Sequence, residues 1–167
     1  MTLLGYLMHA NTDGKMKAVV FTDSKISQSA SGRTGKTLIG KAIGKMLNAN
    51  TDGEVQIYSE LNGKTFDSTN KHKYQTCRTI TSCLHINDLP KIFDVECLFN
   101  DITEGIEIER KGKDPLKIQP KIMISTNQTL MIEGDSAKDR FIEYELSEYF
   151  SANHSPQDEM PTLTLYL

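Results

Sequence analysis

The sequence has no apolar run approaching the roughly 20 residues that a membrane-spanning helix needs. Met1 to Met8 carries no basic leader and no small-residue cleavage pattern, so no secretory signal is expected and the chain is assigned to the cytoplasm. Cysteine is scarce. Cys77, Cys83 and Cys97 are odd in number and fit neither C-x-x-C nor a metal spacing with His9, His72, His85 or His154, so reduced thiols are expected. Positive charge is not in excess either: 19 Lys and Arg against 22 Asp and Glu leave a net charge of −3, with a pI near 5.8. That excludes a generally basic nucleic-acid coat, and any contact with DNA has to be local. What remains is a chain of 167 residues, 38% hydrophobic and 25% charged. It is long enough for one domain that buries roughly 70% of its unfolded surface.

The most informative stretch is Ala30-Ser31-Gly32-Arg33-Thr34-Gly35-Lys36-Thr37. Ala18 to Thr22 before it is short, β-branched and aromatic, as a buried strand is, and Asp23 to Ser31 has loop composition. After it, Leu38, Ile39, Ala42, Ile43, Met46 and Leu47 recur at helical spacing, with Lys41 and Lys45 on the other face. Strand, loop and helix in this order are the context of a phosphate-binding P-loop. Glycines let backbone N–H groups converge on an anion, and the helix N-terminus adds partial positive charge. Gly32, Arg33, Thr34, Gly35, Lys36 and Thr37 are the candidate nucleotide-binding residues. Lys36 is expected on the β- and γ-phosphates, and the Thr37 hydroxyl on Mg²⁺. Ala30 stands where the G-x-x-x-x-G-K-[ST] pattern has glycine, and Gly32 is expected to supply the flexibility. Gly40 and Gly44 are expected to let the helix lie close to the sheet.

Leu3 to His9 is a short apolar segment, expected to be the end of a helix or linker occupying residues 1–16. The core is expected over 17–150 and a poorly ordered tail over 151–167. Asn11 to Gly14 and Asn50 to Gly53 have turn compositions, and Val55 to Tyr58 alternates as a second strand. Asn62 to Lys73 is polar, and Tyr74 to Thr81 is ambiguous.

Ser82 to Asp88 predicts a buried strand with an acidic tip, where strands of α/β sheets deliver functional groups. Asp88 is the candidate Walker-B acid and metal ligand. A simple turn at Asn87-Asp88-Leu89-Pro90 is the plainer alternative. Ile92 to Ile102 has helical periodicity. Ile106 to Arg110 and Leu116 to Ile118 alternate around Lys111-Gly112-Lys113-Asp114-Pro115, a hairpin with a basic tip. Its lysines either grip phosphates or are solvated and balanced by Glu107 and Glu109. Lys121 to Asn127 predicts a strand ending on Asn127, a candidate for contacts with the γ-phosphate and the lytic water. Asp139-Arg140 precedes a last strand, Phe141 to Leu146.

This order of motifs resembles the superfamily III helicases of viruses, phages and plasmids, and most nearly the primase-helicases of phages and mobile elements. Gly32 to Thr37 matches Walker A, Leu84 to Asp88 Walker B, Ile102 through Pro115 the B-prime motif, and Ile122 to Asn127 motif C. The resemblance covers about Gly5 to Pro156. It implies an α/β P-loop NTPase with an AAA+-like central sheet, flanking helices and a β-hairpin insertion. The implied activity is ATP hydrolysis driving a replication helicase along single-stranded DNA, in a bacterial or phage-infected cell. ATP and Mg²⁺ are the implied cofactors. Copies of the chain would form a ring, usually a hexamer, without contact to a membrane.

By the same resemblance, Lys36, Thr37, Asp88 and Asn127 serve one side of an inter-subunit ATP site. Arg140 acts from the neighbour as an arginine finger, and Lys111 and Lys113 line the DNA pore. Asn87 departs from the acidic pair in which one carboxylate holds metal and the other polarises water. The chain starts near the ATPase core, and its tail, Met160 to Leu167, is unlike the family's continuation, so a truncated gene or excised domain is expected. A rival expectation is a degenerate remnant that binds nucleotide or DNA without turnover. A small P-loop kinase is a further rival, but it needs an arginine-bearing lid, and no basic cluster follows Asn127.

Overall fold

Every residue of Ala18-Val19-Val20-Phe21-Thr22-Asp23 (β1) is buried. A continuous apolar run of this kind is what a strand needs when both faces of its sheet are covered. The computed structural model describes residues 2–9, 14–23, 34–49, 57–128, 130–150 and 153–159. Four further strands, β2 (Tyr58–Asn62), β3 (Cys83–Asn87), β6 (Lys121–Ser125) and β7 (Phe141–Leu146), join β1 in the order β2-β3-β6-β1-β7. All four pairings are parallel. The protein is thus α/β, with a parallel five-stranded sheet flanked by helices. All five carboxyl-terminal strand ends lie along one edge.

Helices α1 (Leu3–Met8) and α2 (Lys36–Asn48) cover one face. Leu7 and Ile43 pack there with Val19, Phe21, Tyr58, Cys83 and Met123. On the other face Val95 and Leu98 of a 3-10 turn, Ile102 of α3 (Phe99–Thr103) and Ala137 of α4 (Asp135–Lys138) pack with Val20, Ile86, Ile122 and Ile124. The hairpin of β4 (Ile106–Ile108) and β5 (Leu116–Ile118) forms a separate antiparallel pair. It is anchored by Ile106 and Ile108 against Tyr74, Cys77 and Leu84.

The expected strands at 18–22, 82–88, 121–127 and 141–146 are present, as are the hairpin and the helix that follows Gly35. Three expectations need correction. The second strand begins at Tyr58, and of the expected segment Val55 and Gln56 lie outside the described residues. The helical periodicity of Ile92 to Ile102 is helical only from Val95, and Ile92 is 96% exposed, because bends at 91–92 break the run before Asp94 caps the 3-10 turn. Met46 does not join the buried face of α2 but is largely exposed. Residues 1–16 include the short helix α1, with Leu7 fully buried and the Tyr6 hydroxyl bonded to both backbone groups of Lys17. Asn50 to Gly53 and Met160 to Leu167 lie outside the described residues.

The two glycines of α2 do set its distance from the sheet. A Cβ on Gly40 would stand 2.6 Å from the His85 ring and 3.1 Å from the Tyr58 hydroxyl, and one on Gly44 would stand 2.8 Å from the Tyr58 ring. Both ring nitrogens of His85 are hydrogen-bonded, so that ring cannot swing away. Alanine gains up to about 1 kcal/mol of helix propensity over glycine, but overpacking a fixed ring costs about 1–3 kcal/mol. Gly40→Ala is therefore expected to destabilise the protein in denaturant unfolding. A stability equal to or above wild type would show that α2 can lift from the sheet at no cost.

Candidate functional site

The carboxyl edge of the sheet collects polar residues from β1, β2, β3 and β6. At β1 the last residue is Asp23, whose carboxylate is buried. Across from it α2 opens at Lys36, behind Gly35 in the left-handed region at φ 93°. Among the described residues no side chain caps this helix, which leaves its first-turn N–H groups facing the edge as anion donors. The Lys36 ammonium is also buried and donates to Asp23 Oδ1 and, at 3.0 Å, to Thr34 Oγ1. Thr34 Oγ1 in turn donates to Asp23 Oδ1. Asp23 Oδ2 is buried and has no hydrogen-bond partner among the described residues. Thr37 is exposed on the same first turn.

At β3 the chain turns sharply. Asp88 takes φ 62°, the one positive φ of a non-glycine residue among the described residues. Such a backbone persists only where its surroundings over-determine it. Here the Asp88 N–H donates to Ser125 Oγ (3.2 Å) and the Leu89 N–H to Ser125 O (3.0 Å). The turn thereby ties the β3 tip to the β6 tip. It holds the half-exposed Asp88 carboxylate between two cationic or amide donors: Lys64 Nζ at 2.6 Å from Oδ2 and Asn127 Nδ2 at 3.2 Å from Oδ1. Lys64 reaches it because the 3-10 turn Gly63–Thr65 lies directly against β3. A Cβ on Gly63 would meet Asn87 O and Leu89 N at 2.8 Å.

Beneath Asp88 runs a polar chain through the sheet. Ser125 Oγ donates to Asn87 Oδ1 (2.6 Å), and Asn87 Nδ2 donates to Glu60 Oε1 (2.9 Å). Having given its one proton to Asn87, Ser125 accepts from His85 Nε2 (3.0 Å), which leaves His85 Nδ1 to accept from the Tyr58 hydroxyl (2.7 Å). Burial pushes the His85 pKa down from about 6.5 to about 4, against the opposing pull of Glu60. The imidazole is therefore neutral at physiological pH and serves as a fixed donor and acceptor.

The structure brings together Thr34, Gly35, Lys36, Thr37, Asp88 and Asn127 on one edge. Gly32, Arg33 and Ala30 lie outside the described residues. Arg140 is elsewhere: it precedes β7 at the amino edge, where its carbonyl accepts from Ala18 N (2.8 Å). Its guanidinium bonds Ser136 and stacks 4.8 Å over Phe99. Lys111 and Lys113 are exposed at the hairpin tip, around Gly112 at φ 69°. Of the other basic residues there, Lys117 stands opposite Glu107, and Arg110 donates to the Asp114 carbonyl.

Sequence reasoning missed Asp23, Lys64, Glu60 and Ser125. The rule that singled out Asp88, an acid ending a buried strand, applies equally to Asp23. Lys64 and Glu60 carry no such signal, because only the fold brings β2 beside β3.

No protein-family model matches the chain, and no curated protein is significantly similar to it. The chemistry of the edge thus rests on its own residues. The residue types fit the implied ligands: a helix start with a lysine suits phosphate, and the Thr37 hydroxyl and the Asp88 carboxylate are oxygen ligands of the type magnesium takes, although no cluster of three or more His, Cys, Asp or Glu side chains is present among the described residues.

The His85 environment carries a pH signature. The unfolded chain takes up a proton on this histidine below about pH 6.5, whereas the folded chain resists it until about pH 4. Stability associated with His85 is therefore complete above pH 6.5 and falls as pH drops toward 4. In denaturant unfolding across that window, His85→Gln is expected to flatten the decline. Equal slopes in the two proteins would show that His85 is not buried neutral.

Proposed function

We propose that the chain is a Mg²⁺-dependent P-loop ATPase core, of the type found in superfamily III DNA helicases. The observation that carries the reading is the shared edge. The uncapped start of α2 with Lys36 and the Asp88–Asn127 pair sit at neighbouring strand ends, with β6 between β1 and β3. A triphosphate lying over this edge has its phosphates at the helix N-terminus, and Asn127 falls between Lys36 and Asp88. Phosphoryl transfer demands little covalent chemistry from a protein. It demands positioned charge.

In this reading the Lys36 ammonium leaves Asp23 for the phosphates, and the uncapped N–H groups of α2 bind their oxygens. Thr37 and Asp88 hold magnesium, which when bound neutralises charge on the transferring phosphoryl group. Asn127 orients the γ-phosphate from the middle of the edge. The resemblance implies a ring of copies, in which Arg140, at the amino edge of the sheet and away from its own Lys36, would have to leave Ser136 to act at a neighbouring copy's site. Lys111 and Lys113, exposed on a hairpin anchored to the core, suit phosphates of single-stranded DNA. A second reading, a remnant that binds but does not hydrolyse, is favoured by Asn87, which removes one member of the acidic pair.

Hydrolysis of ATP by the whole chain separates these readings. Turnover is expected to require Mg²⁺, to rise with protein concentration and with single-stranded DNA, and to vanish in Lys36→Ala. Nucleotide binding without turnover at any protein or DNA concentration would leave the remnant reading standing and overturn the motor.

A further inference from the structure

The acidic pair is incomplete on β3, yet a second carboxylate does reach the same place from the neighbouring strand. Glu60 of β2 pairs in register with His85 of β3, and its side chain rises to accept a hydrogen bond from Asn87 Nδ2 at 2.9 Å. Among the described residues its other oxygen, Oε2, meets the Tyr58 hydroxyl at a long 3.4 Å, its proton shared with His85, and His85 Nδ1 at 4.0 Å. The carboxylate is 37% exposed, open to water at the edge while fixed from below. Asn87 is bonded on both sides, to Ser125 and to Glu60, so it positions Glu60 beside the Asp88 turn. His85 does not serve as the base, since both its nitrogens are engaged by Tyr58 and Ser125 and burial lowers its basicity.

We propose that Glu60 supplies the water-polarising carboxylate that Asn87 lacks, moved one strand sideways from β3 to β2. The inference rests on the ATPase reading and goes beyond it by naming the residue that activates the nucleophile. In the step it serves, the water oxygen bonds to the γ-phosphorus while the bond from that phosphorus to the β,γ-bridging oxygen breaks. The electron pair of the broken bond stays on the ADP oxygen. The proton of the water passes to a Glu60 carboxylate oxygen and from there to phosphate or solvent. Asp88, paired with Lys64 and Asn127, is left for the metal, so the two carboxylates do different work.

The Glu60–Asn87 hydrogen bond makes a clean test possible, because exchanging the two groups keeps the bond and moves the charge. Glu60→Gln alone is expected to lower ATP turnover by about 10²- to 10⁴-fold, the range of a lost general base. Its affinity for a non-hydrolysable ATP analogue and its unfolding midpoint should stay close to wild type. The exchanged variant, Glu60→Gln with Asn87→Asp, places a carboxylate on β3 and is expected to recover most of the turnover. A role confined to holding Asn87 in place gives a different pattern, since the exchanged variant would then restore stability without restoring turnover.

Full turnover in Glu60→Gln, no recovery in a folded and nucleotide-binding exchanged variant, or binding without turnover in the wild type each overturns the assignment of Glu60 while the nucleotide site stands. Failure of the wild type to bind the analogue at all overturns the site itself.

Discussion

Parallel pairing of β1 with β6 on one side and β7 on the other is the constraint from which the rest follows. A parallel sheet sends every strand's carboxyl end to one edge and every connection back over a face. Both faces must then be covered, which is why β1 is buried throughout and why helices pack on either side. The same geometry gathers Asp23, Asn62, Asn87 and Ser125 as strand ends, though they are far apart in sequence. It also sends Arg140 and Lys121 to the opposite edge. The division into an edge that gathers polar and charged strand ends and an edge that faces away is a property of topology before it is one of chemistry.

Within that edge the charges are matched in pairs. Lys36 is buried on Asp23, and Asp88 is held by Lys64 and Asn127. Burying an ammonium and a carboxylate is costly unless each satisfies the other, and breaking such a pair is far worse than replacing it. A phosphate chain offers Lys36 a replacement partner of the same sign as Asp23. On the proposed ATPase reading, exchange of anions with no charge left bare would be the physical route from the observed arrangement to a loaded site. The hydrogen-bonded chain from Tyr58 through His85, Ser125 and Asn87 to Glu60 fixes the floor under that exchange.

Much of this was legible in the residues. The strands at 18, 83, 121 and 141 follow from short apolar runs, and α2 follows from its periodicity behind Gly35. Lys36, Asp88 and Asn127 could be placed on one edge because each stands at a strand or helix end. What stayed hidden depends on lateral neighbours. Periodicity says nothing about which strand lies beside which, so Glu60 and Lys64 could not be placed next to Asn87 and Asp88. Ile92 misled for a related reason: its spacing fits a helix, but the chain bends before that helix begins. Asp23 was readable and was assigned to the loop, because a polar residue ending an apolar run looks like the start of one.

Calorimetric titration of the whole chain with ATP and magnesium, alongside Asp23→Asn and Lys36→Ala, tests the central claim most directly. The account predicts saturable binding at one site per chain, abolished in Lys36→Ala and retained or tightened in Asp23→Asn, which keeps an oxygen acceptor for the lysine but no competing charge. Binding that is unaffected by Lys36→Ala, or no binding by the wild type, would contradict it.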